Sequence, residues 1–276
     1  MKRGTKVPHI KLNDGLSIPQ IGLGLWKVKD PSEFRKAFSE AIQAGYRHFD
    51  SAQVYGNEDL LGDAWVASDI NREEFFLTTK IAIENFRGKR IATSFDESLR
   101  KLRTDYVDLL LLHFPVSIFR KQAWAALTQL QEEGKARSIG VSNYTIRHLK
   151  EMKRYTDITP AINQVELHVF LQQPKLVEYC KKEGIVLEAY SPLAHGKNMD
   201  EPIIHQIAKK HSKTYAQIML RWCIEKGFIV LPKSVTPERV KENMNVFDFE
   251  LNSDDMQKLH QLDSNLRTCW DPTLIP

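Results

Sequence analysis

With 276 residues, 42% of them hydrophobic and 27% charged, the chain has the composition of an ordinary soluble protein and enough apolar material for a sizeable core. A formal net charge of only +4, from basic residues spread along the chain, argues against dedicated nucleic-acid binding but leaves room for a local anion pocket. Cys180, Cys223 and Cys269 are far apart and lack CxxC spacing, so neither a disulfide framework nor a zinc site is indicated, and no apolar run approaches the roughly 20 residues of a membrane span.

The N-terminal MKRGTKVPHIKL is basic without the apolar stretch of a secretory signal, so a reduced, cytoplasmic protein is expected. Next, HIKLNDGLSIP carries the Asn-Asp-Gly signature of a tight β-hairpin. From there short apolar runs alternate with longer amphipathic stretches, predicting strands and helices in turn. Strands are placed at Gln20–Trp26, Arg47–Ala52, Phe75–Ile81, Val107–His113, Ala136–Asn143, Ala161–Leu167, Ile185–Pro192 and Phe228–Ser234. Within the first, GLG at 22–24 runs on into Leu25 and Trp26, which reads as a close backbone approach and not as a dinucleotide fingerprint. The stretch SEFRKAFSEAIQAG repeats Phe34, Ala37, Phe38, Ala41 and Ile42 on one helical face. Gly45, Gly134, Gly184 and Gly227 each follow a helical pattern, where a left-handed cap is expected.

Strands apolar on both faces imply a parallel sheet covered by helices. Eight regular units favour closure into a (β/α)₈ barrel over an open doubly wound sheet, with the hairpin plugging its bottom. No linker or composition shift divides the chain, so residues 1–276 are read as one domain, a size such barrels commonly reach.

In a barrel of this kind the active site lies at the carboxyl ends of the strands. Three consecutive apolar runs close in ionisable residues, Asp50, Lys80 and His113, and Tyr55 follows the first by a short loop. Singly, each has a plain structural explanation as a helix cap, a solvated strand end or a core histidine. Together, on adjacent strands and at one predicted height, they suit proton delivery. A phenol is a poor acid at neutral pH unless a cation stabilises its anion. Lys80 offers that cation, Asp50 keeps it charged and in place, and His113 directs the substrate oxygen. Such a site protonates a carbonyl oxygen as it becomes an alkoxide. The accompanying hydride cannot come from a side chain, which implies a nicotinamide cofactor.

The segments GLGLW, GYRHFDSAQVYGNE, LTTK, DYVDLLLLHFP, GKARSIGVSNY, INQVELHVF, GIVLEAYSPL and LPKSVTPERVKEN resemble those of the aldo-keto reductase family, in the family's order and over nearly the whole chain. The resemblance implies NADPH-dependent carbonyl reduction by a tetrad falling on Asp50, Tyr55, Lys80 and His113, with Tyr55 as proton donor. It also implies nicotinamide contacts at Ser142, Asn143, Gln164 and Tyr190, with Ser191 and Leu193 of the same AYSPL segment beside the cofactor. Around the 2′-phosphate it places Lys233, Ser234, Val235, Thr236, Arg239, Glu242 and Asn243. A lysine, an arginine and a hydroxyl at a helix start suit a phosphate on physical grounds as well.

Trp26 and Phe114 are then the expected apolar walls of the substrate pocket, although Trp26 also reads as a core aromatic. Phe114 stands where many members carry tryptophan. Short connections after His113 and after the seventh strand, with a brief tail from Asn265, resemble microbial reductases of 2,5-diketo-gluconate and methylglyoxal. They lead to the expectation of an open pocket for a small carbonyl substrate in a monomer that binds no metal, nucleic acid or membrane. Two rivals remain at this point: a Schiff-base aldolase with Lys80 as nucleophile, and a non-catalytic cofactor-binding protein on the same fold.

Overall fold

The computed structural model describes residues 7–87 and 90–276; the first six residues, which carry half of the leader reading, lie outside it. β1 (His9–Lys11) and β2 (Ser17–Pro19) pair antiparallel. Their turn is closed by the Leu12 N–H donating to the Leu16 carbonyl at 2.8 Å. Leu12 and Ile18 of this hairpin pack with Phe76, Ile162 and Ile229, each the first residue of its barrel strand, with Ala161 just before Ile162, and with Leu109 and Leu111 of a fourth strand. The hairpin therefore seals the amino end of the barrel, as expected.

The barrel strands are β3 (Leu23–Gly24), β4 (His48–Asp50), β5 (Phe76–Ile81), β6 (Val107–Leu112), β7 (Ala136–Ser142), β8 (Ile162–Glu166), β9 (Val186–Tyr190) and β10 (Ile229–Leu231). They form one eight-stranded parallel sheet in chain order. A parallel bridge between Ile21 and Val230 joins the two ends. At this seam a β-carbon on Gly24 would lie 3.2 Å from the Leu231 carbonyl oxygen, the close backbone approach inferred from GLG, and one on Gly22 would lie 2.5 Å from Nδ1 of the His48 side chain. All eight predicted strands appear. Those at the seam are shorter than predicted, since Trp26 and Ser234 have already turned out of the ladder.

Ten helices cover the barrel among the described residues: α1 (Pro31–Ala44), α2 (Glu58–Val66), α3 (Arg90–Leu102), α4 (Arg120–Glu132), α5 (Ile146–Met152), α6 (Pro174–Lys182), α7 (Pro202–His211), α8 (Tyr215–Glu225), α9 (Pro237–Met244) and α10 (Ser253–His260). α1 shows why they form where they do. Asp30 caps it by accepting from the Ser32 and Glu33 amides at 2.9 Å each, Pro31 opens it, and Gly45 ends it at φ 100°. Its Phe34, Ala37, Phe38 and Ala41 are buried, with Phe38 4.6 Å from Phe49 of β4. Each such aromatic stabilises the fold by about 1.5–3 kcal/mol through removal from water.

The register adds detail to the expected clustering of three strand ends. Asp50, Lys80 and His113 are not level in the ladder. Asp50 pairs with Thr78, two residues before Lys80, and Lys80 pairs with Leu111, two residues before His113. Each strand thus carries its group two positions further along, which keeps all three on the inner face. The stagger of tilted barrel strands brings this staircase together.

Candidate active site

The tetrad converges at the carboxyl end of the barrel. Lys80 is fully buried, and its ammonium donates to Asp50 Oδ1 at 2.6 Å, to the Ser51 carbonyl at 2.9 Å and to Tyr55 Oη at 3.3 Å. An ammonium has three protons, and all three are engaged. Burial pulls the Lys80 pKa down, but the Asp50 charge, Tyr55 and the Asp50 hydrogen bond outweigh it and leave the pKa above its ordinary value. For Tyr55 burial dominates: it pushes the phenol up, while the Lys80 charge works against it. The phenol therefore stays protonated at neutral pH, with the cation in place to ease proton loss. Burial, assisted by the Lys80 charge, pulls His113 down to about 3. The imidazole is a neutral hydrogen-bonding group whose ring meets that of Tyr55 edge-on, centroids 5.7 Å apart.

Tyr55 ends a single 3₁₀ turn, Gln53–Tyr55, which Gly56 terminates at φ 64°. Two side chains not singled out in the sequence hold this loop. Gln53 accepts from the Ala82 amide at 2.8 Å and donates to the Ser94 carbonyl at 3.1 Å. Asn57 donates to the Leu25 and Val28 carbonyls at 2.9 Å each and accepts from Ser51 Oγ at 2.7 Å.

The residues expected to face a cofactor occupy the next strand ends. Asn143, after β7, donates to the His113 carbonyl at 3.1 Å and accepts from the Tyr190 hydroxyl at 2.8 Å. Ser142 Oγ donates to the Gln164 carbonyl at 2.9 Å. Asn143 and Ser191 adopt φ of 65° and 49°, and the turn after Leu193 continues with Ala194 and His195 at 48° and 52°. Such left-handed backbone is uncommon outside glycine and gathers at functional sites. Further round, Ser234 Oγ accepts from the Thr236 amide at 3.1 Å just before α9. Val235 is half-buried there, Asn243 is buried, and Glu242 accepts from Thr214 Oγ1 at 2.7 Å. Lys233 and Arg239 are exposed and form no ion pair among the described residues.

On the substrate side Phe114 is buried, whereas Trp26 is 41% exposed and stacks on His195 at 5.5 Å. That exposure excludes the reading of Trp26 as a core aromatic. The tail departs from expectation. Although brief, it is strapped across the barrel mouth. Thr268 donates through its amide and hydroxyl to buried Glu166 at 2.7 and 2.6 Å, and the Cys269 amide does so at 3.1 Å. Trp270, 75% exposed, meets Phe114 edge-on at 6.0 Å. The chain then docks through the Ile275 carbonyl on His148 at 3.1 Å and through the Pro276 carbonyl on Arg120 at 2.7 Å. Sequence reasoning missed Trp270 because nothing local connects it to Phe114.

A profile of the aldo/keto reductase family matches residues 20–264. The chain belongs to the aldo/keto reductase family. Among its relatives, glyoxal reductase of Bacillus subtilis (strain 168) is 41% identical over 263 residues, 95% of each chain. Methylglyoxal reductase DkgA of Escherichia coli (strain K12) is 42% identical over 267 residues, 95% of this chain and 96% of that protein. The crystal structure of a Bombyx mori aldo-keto reductase in complex with NADP is 34% identical, covers 95% of each chain and superposes with a TM-score of 0.90. No helix of this aldo/keto reductase, among the described residues, is long and apolar enough to cross a membrane.

Proposed function

We propose that this aldo/keto reductase uses NADPH to reduce the carbonyl group of small aldehydes and ketones to the alcohol, with Tyr55 giving the proton. The observation that carries this reading is the Lys80 ammonium with its three protons spent on Asp50, Ser51 and Tyr55. An amine so engaged has no lone pair to attack a carbonyl, which disfavours the aldolase alternative. A protonated phenol beside a fixed cation and a neutral imidazole is instead arranged to donate to an oxygen that gains negative charge. Asp50 holds the cation, and His113 supplies an N–H to orient the substrate oxygen.

The cofactor residues fit NADPH. The left-handed Asn143, the half-buried Tyr190 ring and the Gln164 amide suit a nicotinamide and its carboxamide. Lys233 and Arg239, which form no ion pair among the described residues, lie beside the Ser234–Thr236 turn and the start of α9 and suit a 2′-phosphate. When bound, NADPH supplies the hydride. A Bombyx mori relative solved with NADP supports the assignment.

Arg239→Ala should weaken NADPH by about tenfold or more, since charge-assisted contacts of this kind contribute roughly 1.5–3 kcal/mol each. NADH should be affected much less, and added salt should narrow the difference. Fluorescence titration with both cofactors checks this, and equal losses would place Arg239 elsewhere.

For substrate, the exposed Trp26 and Trp270 with Phe114 make an apolar rim that covers the site without enclosing it. Relatives named for glyoxal and methylglyoxal point the same way. Following NADPH oxidation with α-dicarbonyls, short aldehydes, keto sugars and bulky ketones tests the function. Small activated carbonyls should show the highest kcat/KM, because their reactivity lowers the barrier that binding must offset. Steroid turnover above that of every small aldehyde would refute the open-pocket reading, and no turnover of any carbonyl would refute the function.

A further inference from the structure

Beneath the tetrad lies a second buried acid that the proposed chemistry does not use. Glu188 is inaccessible to solvent on the inner face of β9, two residues before Tyr190 and paired in register with Gln164 of β8. The Gln164 amide nitrogen donates to Glu188 Oε2 at 2.6 Å and to Asp50 Oδ2 at 2.8 Å. Asp50 is the carboxylate paired with Lys80 and offers only acceptors, so the nitrogen end of the amide must face it. With both amide protons spent on the two carboxyl groups, only the Gln164 carbonyl remains for a ligand.

A hydrogen-bonded strut thus crosses the barrel interior from β9 through β8 to Asp50 on β4, and from there to Lys80 on β5. The titratable groups facing Glu188 are His48 and Asp50 from β4 and Lys80 from β5. His48 Nε2 lies 3.6 Å from Glu188 Oε1, which accepts no hydrogen bond among the described residues. Burial, followed by the Asp50 charge, pushes the Glu188 carboxyl up to about 8. The upward shift favours the uncharged acid, which lets the two carboxyl groups share one amide without two like charges in contact.

We infer that Glu188 is a positioning residue of the reductase. It anchors the Gln164 amide, which fixes the rotamer of Asp50 and hence the Lys80 ammonium beneath Tyr55, and which presents only a carbonyl to the nicotinamide carboxamide. The inference rests on the tetrad reading given above. It predicts that the acceptor at position 188 matters more than its charge.

Glu188→Met removes the acceptor at similar volume, and Glu188→Gln keeps one. In the Met variant kcat should fall by up to about tenfold, the upper end of what one lost hydrogen bond between neutral groups produces. The alkaline limb of its pH–rate profile should shift, and its circular dichroism and melting curve should stay close to wild type. Glu188→Gln should retain most of kcat. A folded Glu188→Met with unchanged kcat and pH profile would overturn the inference, as would equal losses in the Met and Gln variants. Should Glu188→Met fail to fold, Gln164→Met cuts the same strut at its middle and must produce the same shift of the alkaline limb; an unmoved limb is again fatal. Tyr55→Phe measured alongside separates the two levels. If it stays active, the tetrad reading has failed; if it is dead while Glu188→Met behaves as wild type, only the role of Glu188 has failed.

Discussion

Tyr55→Phe should abolish carbonyl reduction while leaving NADPH binding nearly intact. The substitution removes the hydroxyl that Lys80 contacts at 3.3 Å and keeps the ring against His113. General acids typically contribute about 10²- to 10⁴-fold, so kcat should drop by at least that order while the dissociation constant of NADPH stays put. Stopped-flow turnover and fluorescence titration measure the two separately. Retention of more than about a tenth of kcat is incompatible with the loss of a general acid of that strength and would remove Tyr55 from the mechanism.

Lys80→Met should cost nearly as much by a different route. Burial already holds the phenol above its ordinary value, and the ammonium is the group that opposes the rise. Without the cation the phenol should titrate higher still, so the alkaline limb of the reduction profile should move to higher pH as the rate falls. The change also strands Asp50, whose carboxylate would be left buried with only the Gln164 amide for company. In wild type the acidic side of the profile should show no inflection from His113, because a group held near 3 is neutral throughout the neutral range. An unchanged profile and rate in Lys80→Met would make Lys80 a structural residue.

Much of this arrangement was legible in the sequence because parallel strands are read by what interrupts them. Asp50, Lys80 and His113 stand out as charged or polar ends of apolar runs, and α1 announces itself through the repeating Phe34, Ala37, Phe38, Ala41 and Ile42 and through Gly45. The two-position staircase was not legible, since the stagger between strands is set by barrel closure and no single strand encodes it. Gln53 and Asn57 went unseen because loop amides have no pattern until their partners, from Ala82 to Leu25, are brought near. Glu188 did leave a signal. It is an acidic side chain inside the apolar run IVLEAY, at the position that shares a face with Tyr190, and in a strand buried on both sides such a residue needs a partner. The tail was misjudged by length alone, because what decides its path is Glu166, about a hundred positions earlier.

The seam between β3 and β10 has a consequence for how the chain reaches this state. The Gln20 amide donates to the Ile224 and Phe228 carbonyls at 3.0 and 3.2 Å, partners separated from it by 204 and 208 residues. During synthesis from the N-terminus, one edge of the nascent sheet therefore has no complement until four-fifths of the chain has emerged. Long-range parallel pairings of this kind form slowly, and an unsatisfied edge invites association with other chains in the meantime. β3 spans only Leu23–Gly24, and very short edge strands are one way proteins blunt that hazard. The strand that offers least to the finished ladder is also the one that offers least to a stray neighbour while the ribosome is still at work.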